Sequence, residues 1–403
     1  MPLRVLVVDD SNFFQHRLKE IINENPELKV VGIASNGREA IEKAESLKPD
    51  IITMDFEMPV MDGITAIRHI LSKQFIPIIM FSSLTYEGAK VTLDALSAGA
   101  LDFISKDFAE VSRNSAALKK KLHERLITLA RSHTQKAQPV ATQYVSQTAS
   151  SAASASTVST EHLRATVSEV NRFQDGQQQG IRTAAISENV VVPQIATVVT
   201  KAINYTSTDN YRLLKKPKLL IIGASTGGPV ALSEVLLALP EKFPLPIILV
   251  QHMPENFTKA FAERLNKQCK IRVREAVDGD ILEPGLALLA PGGKQLMLDK
   301  RNGGSVRVLP DDDRVNYKPS LDITFGSAAN FYGDQVLGVV LTGMGSDGCK
   351  GARLLKEAGS SIWSQDEASC VIYGMPMAVA KAGLTDKVLS LNEIGPRIAR
   401  EIT

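Results

Sequence analysis

The apolar residues fall into short blocks separated by helical patterns. Over residues 3–108 the blocks LRVLVV, VVGIA, DIITM, PIIMF and DFIS are rich in Val and Ile and bounded by turn or acidic residues. Such runs predict strands buried on both faces. Between them, apolar positions recur at helical spacing, from Ser11 as N-cap to just before Pro26 and near 37–47, 63–73 and 86–98. Strands separated by helices of this length form βαβ units, hence a parallel sheet with helices on both faces. The alternation returns from Lys216 to Thr403. KLLIIG, PIILVQ, LALLAP and VLGVVLTG read as strands, with helices near 229–239, 258–267, 348–358 and 375–382. This predicts a second α/β domain.

Between the halves the pattern is lost. SQTASSAASASTVST and QDGQQQG carry too little apolar surface to offset the entropy of ordering them. The expected division is a first domain over 1–125, a flexible Ser/Thr/Ala/Gln-rich linker over 126–215 and a second domain over 216–403. The biased stretch from about 134 to 210, about 75 residues of coil, would span roughly 50 Å. Two patches, 162–173 and 190–203, are less bland, as a short helix and a Val/Ile cluster.

Lys+Arg 46 against Asp+Glu 44 leaves +2, and no polybasic field to hold a nucleic-acid backbone. No apolar run reaches a membrane span, and MPLRVLVVDD lacks the shape of a signal peptide. Cys269, Cys349 and Cys370 are odd in number and far apart, which suits a reduced cytoplasmic protein. No nucleic-acid partner and no membrane insertion are expected.

In the first half, Asp9, Asp10, Asp55, Ser82 and Lys106 each end a strand. Parallel strands share one C-terminal edge, so topology gathers three carboxylates, a hydroxyl and an ammonium. Clustered carboxylates suit a hard cation such as Mg²⁺. A carboxylate can also attack phosphorus to form an acyl phosphate. Lys106 and Ser82 would then contact phosphoryl oxygens. With DFEMPVMDG around Asp55, this segment resembles the receiver domain of two-component response regulators over about its first 120 residues. The resemblance implies a five-stranded flavodoxin-like sheet with Asp55 as phosphoacceptor. It implies Mg²⁺ held by Asp10, Asp55 and the backbone carbonyl of Glu57, with Asp9 in the outer shell. It makes Ser82 and Lys106 the switch hydroxyl and lysine, and Phe103 the aromatic that changes rotamer. Asp107 departs from the proline common after that lysine.

In the second half, KLLIIGASTGGP runs from a strand into the G-x-S-x-G pattern around Ser225. A tight strand-to-helix turn of this kind presents a nucleophile or cradles a phosphate. The dinucleotide fingerprint and the P-loop lysine are both absent. Of six histidines only His252 lies beyond residue 215, at the end of PIILVQH. A base beside the serine is what its weak hydroxyl needs, which favours the nucleophile. An orienting carboxylate would be Asp347 in LTGMGSDG, with Asp366 in reserve and Asp278 and Asp280 in a solvated turn. GASTGGP, QHMPENFTKAFAERLN, LAPGGKQ, LTGMGSDG and DEASCVIYGMP together resemble the catalytic domain of the chemotaxis protein-glutamate methylesterases.

That resemblance implies a doubly wound, mainly parallel sheet and a Ser225–His252–Asp347 triad. Thr226 and Met344 would flank the oxyanion and substrate pocket, the Met344 amide being the donor. The substrate would be glutamate γ-methyl esters, and glutamines, on chemoreceptors. Asp55 would be phosphorylated by a chemotaxis histidine kinase, and the unphosphorylated receiver would cover the esterase site. Mg²⁺ would serve the receiver alone. Rival readings are a receiver-controlled hydrolase of another ester, a non-catalytic phosphate sink and a nucleotide binder.

Overall fold

In the first half, strands β1 (Leu3–Val8), β2 (Leu28–Ala34), β3 (Ile51–Asp55), β4 (Ile78–Ser83) and β5 (Asp102–Lys106) form one sheet in the order β2-β1-β3-β4-β5. Every pairing is parallel. β3 is buried along its whole length, as the unbroken IITMD run requires. The computed structural model describes residues 1–106, 115–136, 216–299, 305–310 and 315–403. Asp107, the 162–173 and 190–203 patches and the Ser/Ala-rich stretch lie outside them.

Three of the covering helices carry side-chain N-caps. Asn36 accepts from the Glu39 amide at 3.0 Å before α2 (Gly37–Leu47), and Asp62 from Thr65 at 2.9 Å before α3 (Gly63–Lys73). Thr85 accepts from Gly88 at 3.0 Å before α4 (Tyr86–Ser97). Ser11 precedes α1 (Asn12–Asn23) without a side-chain cap; its amide donates instead to Asp9 Oδ1 at 3.0 Å. The fifth helix, α5 (Ala116–Lys136), runs past residue 125, where the sequence reading began a linker. The reason is a buried stripe of Leu118, Leu122, Leu126, Leu129 and Ala130 at helical spacing, packed with Leu18, Ile21 and Ile22 of α1.

The second half holds a seven-stranded parallel sheet. Its strands are β6 (Leu219–Ala224), β7 (Ile247–Gln251), β8 (Arg272–Glu275), β9 (Leu286–Leu289), β12 (Val336–Val340), β13 (Ser361–Gln365) and β14 (Lys387–Leu389). Their order is β14-β13-β12-β6-β7-β9-β8. Helices α6 (Gly228–Leu237), α7 (Glu255–Gln268), α8 (Leu321–Tyr332), α9 (Cys349–Glu357), α10 (Met375–Lys381) and α11 (Leu391–Ile402) follow their strands. β10 (Gln295–Asp299) and β11 (Ser305–Leu309) pair as a separate antiparallel ribbon. Both expected fold classes are present.

β8, β14, the ribbon and α8 escape the sequence reading. β8 alternates exposed and buried residues at a sheet edge, and β14 has three residues. The α8 sequence LDITFGSAANFY is a poor intrinsic helix; burial of Leu321, Thr324, Phe325 and Ala328 decides it.

The two halves pack into one unit. Phe103 of β5 stacks on Phe257 of α7, centroids 4.5 Å apart and planes 4° off parallel. Arg264 pairs with Asp94 and donates to Ser97 Oγ at 2.8 Å, and Asn256 donates to the Leu84 carbonyl at 2.9 Å.

Candidate functional sites and relatives

The receiver pocket forms where the parallel topology requires it. Asp9, Asp10 and Asp55 bring carboxylate oxygens within 4.8 Å of one another, Asp9 and Asp55 buried and Asp10 exposed. Lys106 Nζ bridges two of them, 2.7 Å from Asp9 and 2.6 Å from Asp55. Burial pushes the Asp55 carboxyl up to about 6, against the opposing pull of Lys106 and with a further push from Asp9. Burial likewise raises Asp9. An all-oxygen donor set with surplus negative charge fits Mg²⁺. Glu57 lies two residues beyond Asp55 in an exposed segment. The Ser82 hydroxyl is turned toward α4, accepting from Thr92 Oγ1 at 2.5 Å and donating to the Gly88 carbonyl at 3.2 Å.

Ser225 sits at the C-terminal end of β6, between β12 and β7. Its amide donates to the Thr342 carbonyl at 3.0 Å on one side. On the other, the His252 amide donates to the Ala224 carbonyl at 3.2 Å, so sheet register sets His252 beside the serine turn. Gly227, the N-cap of α6, has φ +77°, a conformation that favours glycine. Buried Gln251 donates to the Ser225 carbonyl at 2.9 Å and ties the turn to β7.

His252 Nε2 lies 2.7 Å from Asp347 Oδ2. Its Nδ1 is buried and has no hydrogen-bond partner among the described residues. Asp347 is buried and accepts three more bonds. Ser320 Oγ and the Asp322 amide reach Oδ1 at 2.8 and 3.0 Å, and the Leu321 amide reaches Oδ2 at 2.7 Å. Burial works to raise the Asp347 carboxyl; the bond and charge of His252 and the two amides outweigh it and hold it below the ordinary carboxylate value. The loop amides at the α8 N-terminus thus hold an anion as such ends do. Asp366 accepts from the Ser369 amide at 3.0 Å, and Asp280 pairs with Arg274.

Ser225, Thr226, His252 and Met344 line one cavity of about 560 Å³. Phe103 and Arg125 of the first half line it too. The buried Thr226 hydroxyl donates to Asp102 Oδ2 at 2.8 Å across the interface. Arg125 of α5 holds the same oxygen at 2.9 Å and the Phe103 carbonyl at 2.5 Å. The sequence reading missed Asp102, Arg125 and Ser320, whose roles are set by distant packing. It also missed Tyr317, whose ring stacks on His252 with centroids 4.4 Å apart. No helix among the described residues is long and apolar enough to cross a membrane.

Residues 220–398 match the CheB methylesterase family model, and residues 5–117 match the response regulator receiver domain model. The chain is 54% identical over 402 residues to protein-glutamate methylesterase/protein-glutamine glutaminase 1 of Saccharophagus degradans, covering 100% of both. It is 54% identical over 395 residues to protein-glutamate methylesterase/protein-glutamine glutaminase 2 of Pseudomonas savastanoi pv. phaseolicola, covering 98% of both. Among solved structures, the Thermotoga maritima CheB methylesterase catalytic domain is 39% identical with a TM-score of 0.44, covering 46% of this chain and 99% of that one. The chain belongs to the protein-glutamate methylesterase/protein-glutamine glutaminase family, with its receiver domain ahead of its methylesterase domain.

Proposed function

We propose that this chain is a phosphorylation-gated hydrolase that demethylates glutamate γ-methyl esters, and deamidates glutamines, on chemoreceptors. The observation that carries the catalytic assignment is His252, with Nε2 on Asp347 and an unpartnered Nδ1 in the cavity that holds Ser225. A neutral imidazole whose Nε2–H is given to a carboxylate keeps its Nδ1 lone pair for a proton.

Ser225 attacks the ester carbonyl as His252 accepts the hydroxyl proton. The tetrahedral oxyanion is met by N–H groups at the Ser225–α6 turn and by the Met344 amide, with Thr226 alongside. Collapse expels methanol, or ammonia from a glutamine, which takes the proton from His252. Water, deprotonated by His252, then attacks the acyl-serine and releases glutamate. Asp347 holds the ring and stabilises the imidazolium.

Asp55 accepts a phosphoryl group from a chemotaxis histidine kinase. Asp10, Asp55 and the Glu57 carbonyl would hold Mg²⁺, with Asp9 behind them. When bound, the ion offsets the negative charge gathered between carboxylates and phosphoryl oxygens. Lys106, already between Asp9 and Asp55, is set to follow that charge.

The basal state is held down by the bond from Thr226 to Asp102, anchored by Arg125, which occupies an oxyanion-pocket residue from the receiver side. A hydrogen bond to a charged group is worth about 1.5–3 kcal/mol, so Asp102→Ala is expected to raise the phosphodonor-independent rate by about one to two orders of magnitude. An unchanged basal rate in that variant rejects the latch.

The test of the whole reading is methanol release from methylated receptor membranes, with and without a small-molecule phosphodonor and Mg²⁺. Wild type is expected to release methanol, faster with phosphodonor, and Asp55→Asn to lose that response. No release while a fluorophosphonate still labels Ser225 would move the search to another ester.

A further inference from the structure

His252 is held at one edge and one face of its ring in this chain. Asp347 fixes the Nε2 edge, and the face is covered by Tyr317, centroids 4.4 Å apart and planes 13° off parallel. The segment that carries Tyr317 is itself tied down. Gln295, 3% exposed, donates from Nε2 to the Tyr317 carbonyl at 2.7 Å and accepts the Ser320 amide on Oε1 at 2.8 Å. The Gly293 amide holds the Lys318 carbonyl at 3.3 Å. Ser320 in turn donates to Asp347 Oδ1. One short loop, clamped by one buried amide side chain, therefore touches both the base and its orienting acid.

Gly345 supplies the space. It lies in the TGMGSDG loop with φ +87°, and a methyl group built there would run into the Tyr317 hydroxyl. The tyrosine tip thus passes directly over the loop that delivers Asp347. Burial, and then the charge of Asp347, raise the Tyr317 phenol above its ordinary value, so it presents a neutral aromatic face.

We infer that Tyr317 is a positioning residue for the esterase reaction, whose stacked ring holds the His252 imidazole in the plane that keeps Nε2 on Asp347 and Nδ1 toward Ser225. This rests on His252 acting as the base for Ser225. Two physical effects act together. An imidazole free to swing about its side-chain torsions loses the near-attack geometry, and a misplacement of about 1 Å costs on the order of 100-fold. The π face also favours the imidazolium that forms when the serine proton is taken.

The ring, not the hydroxyl, is the working part, and this sets the experiment. Full-length Tyr317→Phe and Tyr317→Leu are assayed for methanol release from methylated receptor membranes at saturating phosphodonor, across pH, with His252→Gln alongside. Tyr317→Phe is expected to stay within about twofold of wild type. Tyr317→Leu is expected to lose about 100-fold in kcat with KM little changed. Its rising limb of kcat/KM is expected to move to lower pH, because the imidazolium has lost its π partner.

Wild-type kcat in Tyr317→Leu overturns the proposal. So does an equal loss in the Phe and Leu variants, which would assign the effect to the hydroxyl. A loss with the pH limb unmoved overturns it too, since damaged packing alone lowers the amount of working enzyme without retuning the base. Methanol release by His252→Gln at the wild-type rate would instead remove the base assignment itself, whatever the Tyr317 variants do.

Discussion

Ser225→Ala is expected to lower methanol release by at least about 10⁴-fold, the scale on which a serine nucleophile and its base act as one unit. The serine is 8% exposed and enters the cavity from a turn held on three sides. Thr342 takes its amide, Gln251 takes its carbonyl, and the His252 amide binds the residue before it. Alanine keeps that backbone and removes only the hydroxyl, so the variant should fold and bind receptor as wild type does. The phosphodonor response supplies the control: phosphorylation of Asp55, more than 100 residues away in sequence, should be unaffected. Release falling to the uncatalysed level while Asp55 still takes phosphate would fix the loss in the chemical step. Residual release within tenfold of wild type would reject Ser225 as nucleophile and leave the cavity to a different chemistry.

How far the sequence revealed these sites follows from what kind of interaction makes each one. The carboxylate pocket and the serine turn were readable because parallel strands deliver their C-terminal residues to one edge. Four strand ends in the first sheet and two neighbouring strand ends in the second needed no side-chain information. Asp347 was readable because its glycine-rich loop follows β12 on the same edge. Asp102 was not. It opens β5 at the opposite end from Lys106, and only its pairing with Arg125 and the threonine of another domain gives it a role. The helix carrying Arg125 was missed in the sequence reading for a related reason. The stripe from Leu118 to Ala130 declares itself only against the α1 face it covers. Tyr317 lies in YKPS, a stretch without periodicity, and the Gln295 clamp that orders it is a long-range contact. Local pattern reports strands and turns; it does not report which distant ring a loop will lay on a histidine.

Asp347→Asn is expected to cost about 10³–10⁴-fold in kcat, less than the loss of Ser225, with fold retained but weakened. The carboxylate accepts four bonds, two on each oxygen: Ser320 Oγ and the Asp322 amide on Oδ1, His252 Nε2 and the Leu321 amide on Oδ2. Asparagine has one acceptor oxygen. If its carbonyl keeps Oδ1, the NH₂ group meets two N–H donors, one of them His252. The imidazole then does best with its proton moved to Nδ1, the wrong tautomer for taking a proton from Ser225. If the side chain flips, the base is held correctly, but the NH₂ faces the Asp322 amide and leaves a buried donor unpaired, at about 1–3 kcal/mol. The two effects separate on pH. The Asp347 carboxyl lies below its unfolded value, so its stabilisation is present above about pH 4 and is lost as pH falls through the lowered folded value. Wild type should therefore lose stability on acidification by a component that Asp347→Asn lacks, measurable as a shallower dependence of Tm on pH below 4 in the variant. Parallel acid profiles would mean that Asp347 is protonated or unpaired in the folded protein, and would reject it as the orienting acid.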